Sequence, residues 1–140
     1  MLAAASASVL LGAVSGGTSV TITVTDVRNA KGVIRACITS SAADFPKCDV
    51  AATSHKLIVA AADTLTLKFV DIAPGTYAIA LAHDENNNGK MDRALMLMPK
   101  EGFGFSRDAK VMMGPPKFKA AAFTVGSEPV TLTAKMRYML

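Results

Sequence analysis

Strict alternation of apolar and polar residues most constrains what this chain can fold into. In residues 19–25, Val20, Ile22 and Val24 occupy every second position, and threonines stand between and after them. A period of two puts alternate side chains on opposite faces of a β-strand, and β-branched residues favour extended backbone. The segment is therefore predicted to be a strand with one buried face.

The same alternation recurs along the chain, with turn-forming residues between the alternating segments. Asn29 to Gly32 is turn-like and predicts a hairpin that joins the first two strands. About seven short strands without a convincing amphipathic helix predict an all-β fold, a single antiparallel β-sandwich, with a small barrel as the open alternative. The further strands are predicted over 32–39, 55–61, 64–69, 76–83, 94–98, 118–125 and 130–138.

Length and composition predict one folded domain over residues 18–140. The chain has 140 residues, 51% of them hydrophobic and 19% charged, which is enough apolar surface for a folded core. Its formal net charge is +4, and the basic residues are scattered singly. Nucleic-acid binding needs a concentrated basic stripe, so we expect no nucleic-acid partner.

Residues 1–17 carry no charge and end in small residues, as the apolar region of a signal peptide does. The segment is too short to cross a bilayer, and no transmembrane segment is expected in the mature chain. Nothing basic precedes Arg28, which departs from the usual pattern. We expect cleavage after Ala13-Val14-Ser15, a mature chain that starts near Gly16, and a secreted or periplasmic location.

Cys37 and Cys48 flank a loop-like segment. In an exported protein such an isolated pair is predicted to form a disulfide. Two reduced thiols in the core of a cytosolic chain are the alternative. A zinc site is not expected, because no second pair of ligands stands at zinc-binding spacing.

The long connection from Asp84 to Pro116 contains the motif most specific for chemistry. Its oxygen-bearing residues follow the spacing of an EF-hand-type calcium loop, with a glycine at the tight turn. The twelfth position is Leu95 instead of a bidentate acid, so we expect weak Ca²⁺ binding, roughly 10⁻⁴–10⁻³ M. A polar turn capped by its own side chains is the alternative. The expected ligands are Asp84, Asn86, Asn88, the Lys90 carbonyl and Asp92, with Glu85 and Glu101 as candidates to complete the shell.

Four motifs in order resemble the bacterial exported family catalogued as domain of unknown function 2141 (DUF2141). The resemblance covers 19–140 and implies a β-sandwich of the prealbumin or carboxypeptidase-regulatory type, a preceding signal peptide and no assigned activity. After Asp92 the chain departs from it, because apolar residues stand at 94–98 where a more polar residue and a glycine are expected. The motifs are Pro74-Gly75-Thr76-Tyr77-Ala78, 83–92, 99–106 and Gly114-Pro115-Pro116-Lys117-Phe118.

Two further groups of residues suggest binding. Thioether and imidazole ligands favour Cu(I), so methionines gathered near His83 would form a copper site, although methionine more often fills a core. Aromatic rings in the long connection either dock a partner or cover the open end of the sandwich. The copper candidates are Met96, Met98, Met112 and Met113, and the partner surface would be Phe103, Phe105 and Lys117.

No arrangement for catalysis is visible. His55 and His83 are the two histidines, and there is no nucleophile motif. We therefore expect a binding or accessory domain and not an enzyme. A periplasmic copper-binding module and a metal-free structural or adhesion-type domain are the alternatives.

Overall fold

A computed structural model describes residues 16–89, 101–111 and 114–139 in full, and the backbone alone of 93–94 and 98–99. These residues form ten strands and very little helix. The helical pieces are two 3-10 turns, Ala51–Thr53 and Ser106–Asp108, and the one-turn helix α1, Phe118–Ala121. The strands are β1 Thr18–Thr25, β2 Val33–Thr39, β3 Ser54–Ala60, β4 Leu65–Ile72, β5 Gly75–Asp84, β6 Arg93–Ala94, β7 Met98–Pro99, β8 Phe103–Phe105, β9 Phe123–Val125 and β10 Val130–Lys135.

The fold is all-β, as predicted, and eight of the strands lie in two sheets. The first sheet has the order β10-β1-β4, and the second has the order β3-β2-β5-β8 with β9 also paired to β5. β6 and β7 form a separate two-stranded ladder. The prediction of one strand over 94–98 is wrong, because Ala94 and Met98 belong to two different strands that pair antiparallel with each other. Residues 95–97 lie outside the described residues.

The alternating apolar residues of both sheets form one core. From Val20 onward, every second residue of β1 is fully buried, and the facing residues of β2, β4 and β5 are buried with them. The pleat of each strand therefore accounts for the core. Its largest fully buried members include Phe69, Ile22, Ile34, Ile38, Leu67, Ile72 and Ile79.

Two predictions about strand pairing are wrong. β1 pairs antiparallel with β4 but parallel with β10, so the fold is not wholly antiparallel. The predicted hairpin over Asn29 to Gly32 is absent, because β1 and β2 belong to different sheets and this segment passes between them. Alternation of side chains fixes which face of a strand is buried, but it does not encode the direction or the neighbour of the strand.

The predicted strand over 118–125 is also wrong in its first half. Residues Phe118–Ala121 form α1, and the strand is limited to Phe123–Val125. Residues 118–125 contain three successive alanines, Ala120 to Ala122, and alanine has the highest helix propensity.

A second apolar cluster covers the outer face of the second sheet. Its members lie on β5, β8, the turn after β8 and α1, on the side opposite the main core. The predicted disulfide joins Cys37 on β2 to Cys48 and fixes the intervening loop beside this cluster. Phe45 of that loop packs edge-on against Phe105, with ring centroids 5.8 Å apart. The buried members are Ala78, Phe103, Phe105, Ala109 and Ala121.

Candidate functional site

The loop after β5 is a tight polar turn. Asn87 and Gly89 have positive φ angles of 49° and 75°, which asparagine and glycine tolerate best. The backbone N–H of Asn88 donates both to Asp84 Oδ1 at 3.1 Å and to Asn86 Oδ1 at 3.3 Å. The side-chain oxygens of Asp84 and Asn86, at the first and third positions of the predicted calcium loop, therefore point to the same backbone N–H.

Arg35 on β2 holds the first ligand position from outside the loop. Its Nε donates to Asp84 Oδ2 at 2.8 Å, and its terminal nitrogen donates to Asn87 Oδ1 at 3.0 Å. Asp84 Oδ2 also accepts the Gly89 N–H at 2.9 Å. Burial raises the pKa of Asp84, but the Arg35 and backbone hydrogen bonds outweigh it and bring this pKa below its ordinary value. The carboxylate is therefore held in its charged form.

Glu85 turns away from the loop and binds two residues of the β1–β2 connection. Its carboxylate forms an ion pair with Arg28 and accepts a hydrogen bond from Asn29 Nδ2 at 2.9 Å. Burial raises the pKa of Glu85, but Asn29 and Arg28 together lower this pKa below its ordinary value. The buried Glu101 carboxylate accepts a hydrogen bond from the backbone N–H of Glu85. Of the two residues predicted to complete the calcium shell, Glu101 is therefore the one whose carboxylate contacts the loop backbone.

His83 lies beside the loop and is fully buried between two hydrogen-bond partners. Its Nε2 is 2.7 Å from the Lys31 carbonyl oxygen, and its Nδ1 is 2.7 Å from the Tyr138 hydroxyl. A carbonyl oxygen only accepts hydrogen bonds, so Nε2 carries a proton and donates it to Lys31. The backbone N–H of Arg28 also donates to the Tyr138 oxygen, at 3.1 Å. His83 is thus a structural link between distant segments.

The described residues give no support to a copper site at His83. Both of its ring nitrogens are engaged, and the side chain is fully buried. Met96, Met112 and Met113 lie outside the described residues, as does the side chain of Met98. Within the described part of the chain, no group of three or more His, Cys, Asp or Glu residues could hold a metal ion. Lys90 and Asp92, two expected calcium ligands, also lie outside that part.

The expected aromatic partner surface is not exposed. Phe103 and Phe105 are 5% and 6% exposed and belong to the second apolar cluster. They cover the outer face of the second sheet and not the open end of the sandwich, which was the expected alternative. Lys117 is exposed and borders a shallow groove. The groove also contains Phe45, Pro46, Pro115, Pro116, Phe118 and Lys119.

Sequence reasoning missed three residues that organise this end of the domain: Arg28, Arg35 and Tyr138. The Arg28 guanidinium lies 4.4 Å from the centroid of the Tyr138 ring. A Cβ atom on Gly102 would come within 2.3 Å of that ring, so glycine is required for the close approach. The local signal was an arginine among the small and apolar residues of β2, but nothing local identified its partner.

No helix among the described residues is long and apolar enough to cross a membrane. Comparison with curated proteins and with solved structures found no match. A family described as an uncharacterized protein conserved in bacteria, DUF2141, matches residues 22–133. This match covers most of the 140-residue chain, including both sheets, the disulfide and the polar loop. The chain belongs to the DUF2141 family.

Proposed function

We propose that this chain is a non-catalytic binding or accessory β-sandwich domain, active outside the cytoplasm, whose 84–92 loop binds Ca²⁺ weakly. The observation that carries the proposal is the convergence of Asp84 Oδ1 and Asn86 Oδ1 on a single backbone N–H. Ca²⁺ prefers carboxylate, amide and carbonyl oxygens gathered at alternate positions of a tight loop. Such a loop already curled by its own hydrogen bonds loses less entropy when a cation binds.

The two Asp84 oxygens are used differently by the chain. Oδ2 accepts hydrogen bonds from Arg35 and Gly89, whereas Oδ1 accepts the Asn88 N–H among the described residues. A carboxylate oxygen can accept two bonds, so Oδ1 retains capacity for a cation. Asn86, Asn88, the Lys90 carbonyl and Asp92 would supply the other ligands.

The proposed affinity is low for an electrostatic reason. Arg35 places a positive charge 2.8 Å from the carboxylate that would bind the cation. Glu85, a nearby acid, is already paired with Arg28. Fewer uncompensated negative charges weaken Ca²⁺ binding, which supports a dissociation constant of roughly 10⁻⁴–10⁻³ M.

The proposed location rests on two features. The chain contains one disulfide, and disulfides persist mainly in oxidising compartments. Residues 1–17 have the apolar, uncharged composition expected of a signal peptide. Fractionation of a bacterial host that expresses the full chain tests this, and a reduced, uncleaved product in the cytoplasm would contradict it.

Calorimetric titration with CaCl₂ tests the loop directly. We expect saturable binding in the wild type and a dissociation constant at least tenfold higher in Asn86→Ala, which removes one ligand oxygen from an exposed position. Asn87→Gly is the matched control, because it removes a neighbouring amide that is not a predicted ligand and keeps the left-handed backbone. Loss of binding in Asn87→Gly but not in Asn86→Ala would contradict the proposed ligand set.

A metal-free structural domain is the second candidate, and the ion pair between Arg35 and Asp84 favours it. In that pair the Arg35 guanidinium supplies the positive charge that a bound cation would otherwise supply to the Asp84 carboxylate. The loop is therefore closed by protein groups alone. This candidate predicts no heat of Ca²⁺ binding at millimolar concentration, with the disulfide and the fold unchanged. The same titration therefore separates the two functions.

A further inference from the structure

β3 forms an open edge of the second sheet. Among the described residues, β3 has a hydrogen-bonded strand on one side, β2, and none on the other. Hydrogen bonds from Ala61 N to Gly32 O and from Ser40 N to Thr53 O lie at the two ends of this pairing. They show which residues of β3 direct their backbone N–H and C=O groups toward β2 and which direct them away. The peptide groups of residues 55, 57 and 59 therefore face β2, and those of Lys56, Ile58 and Ala60 face outward.

The middle of this edge is apolar and exposed. Ile58 is 57% exposed, although isoleucine is one of the residue types most often buried. Its side chain stands on the outer face of the sheet, opposite Arg35 in the register with β2. An open edge strand with an exposed apolar centre is a template for pairing with another strand.

We propose that β3 pairs antiparallel with β3 of a second copy of this chain, about a two-fold axis at Ile58. In this register Ile58 lies opposite Ile58 of the second copy, and Lys56 lies opposite Ala60. The outward peptide groups of both copies then bond each other, and the two exposed isoleucines contact across the axis. No like charges stand directly opposite, so the strand is complementary to itself.

β4, an edge strand of the first sheet, lacks this complementarity. β4 pairs with β1 on one side, and its exposed face carries Thr66, Lys68 and Val70. An antiparallel pair centred on β4 would bring Lys68 close to Lys68 of the second copy, and like charges opposed across a ladder destabilise it. Of these two edges, β3 is therefore the one assigned to the second copy.

Sedimentation of the full chain over a range of concentrations tests this surface. We expect a concentration-dependent monomer–dimer equilibrium in the wild type and a monomer in Ile58→Lys. Val70→Lys is the matched control, because Val70 is 58% exposed on the edge strand β4, and this variant should dimerise like the wild type. A wild type that stays monomeric, or a dimer that persists in Ile58→Lys, would overturn the proposal.

A cross-link tests the register without depending on that variant. Directly opposed residues of a hydrogen-bonded antiparallel pair have Cα atoms about 5.5 Å apart, within disulfide reach. Ile58→Cys should therefore form a covalent dimer on mild oxidation, while Val70→Cys should remain largely monomeric. Equal cross-linking of the two variants would show random collision and refute the two-fold register. Neither test depends on Ca²⁺, so the dimer and the calcium loop are tested independently of each other.

Discussion

Arg35 and Asp84 show how single residues from distant segments shape the polar loop. They are 49 positions apart in sequence, and β2 and β5 bring them together because the two strands are neighbours. The spacing of asparagine and glycine predicts a tight polar loop from local sequence. The arginine that holds it could not be predicted, since its position depends on strand order.

The Asp84 carboxylate should make stability depend on pH in a defined direction. Because the folded-state pKa lies below its ordinary value, the stabilisation is present above that ordinary value and is lost as pH falls through the folded pKa. Asp84→Asn should lower the free energy of unfolding by about 1–3 kcal/mol near neutral pH. Urea unfolding near pH 6 and about pH 3 should show this difference shrinking in acid. A difference that grows in acid would contradict the assignment.

The Tyr138 hydroxyl should contribute to the stability of the fold through its hydrogen bonds. Tyr138→Phe keeps the ring against Gly102 and Arg28 but leaves the buried His83 Nδ1 and the Arg28 N–H without this partner. We expect a loss of about 1–3 kcal/mol in the free energy of unfolding, measured by urea unfolding. Tyr77→Phe is the comparison, because its hydroxyl bonds one backbone carbonyl, that of Ala73. A larger loss at Tyr77 would refute the role given to Tyr138.

At the scale of elements, the disulfide loop and the second apolar cluster belong together. Cys37 lies on β2, and the loop up to Cys48 carries Phe45 to the rings of Phe105 and Phe118. The double variant Cys37→Ala with Cys48→Ala should lose about 2–4 kcal/mol of stability, mainly because the unfolded chain gains freedom. Urea unfolding of this variant and of the oxidised wild type measures the loss. Equal stability would mean that the loop is held by packing alone.

The main strands could be predicted from the sequence, and their arrangement could not. β1 and β4 alternate because each buries one face, which is a local property of the chain. The parallel pairing of β10 with β1 joins residues more than a hundred positions apart, and no local pattern specifies it. The second cluster was missed for a related reason. The small alanines of β5 do not indicate a buried face in the sequence, because the rings that bury them, Phe103 and Phe105, come from a distant segment.

At the scale of the whole molecule, two sheets enclose one core, and the polar loop lies at one end of it. The chain after β10 returns to this end, where Arg137 pairs with Phe103 and Tyr138 reaches His83. The C-terminal residues therefore brace β5 and β8, the strands on either side of the polar connection. A cation bound in the loop should stabilise the whole fold, because β5 continues directly into it.

Thermal unfolding of the disulfide-bonded chain in excess Ca²⁺ and in chelator tests the calcium loop most directly. At about 100 times the dissociation constant, a site present only in the folded state adds about 2.7 kcal/mol, a rise of several degrees in Tm. We predict this rise in the wild type and in Asn87→Gly, and its absence in Asn86→Ala. An unchanged Tm in the wild type at that saturating concentration, about 10–100 mM Ca²⁺ for the proposed affinity, would contradict the proposal and leave the loop as a turn closed by Arg35.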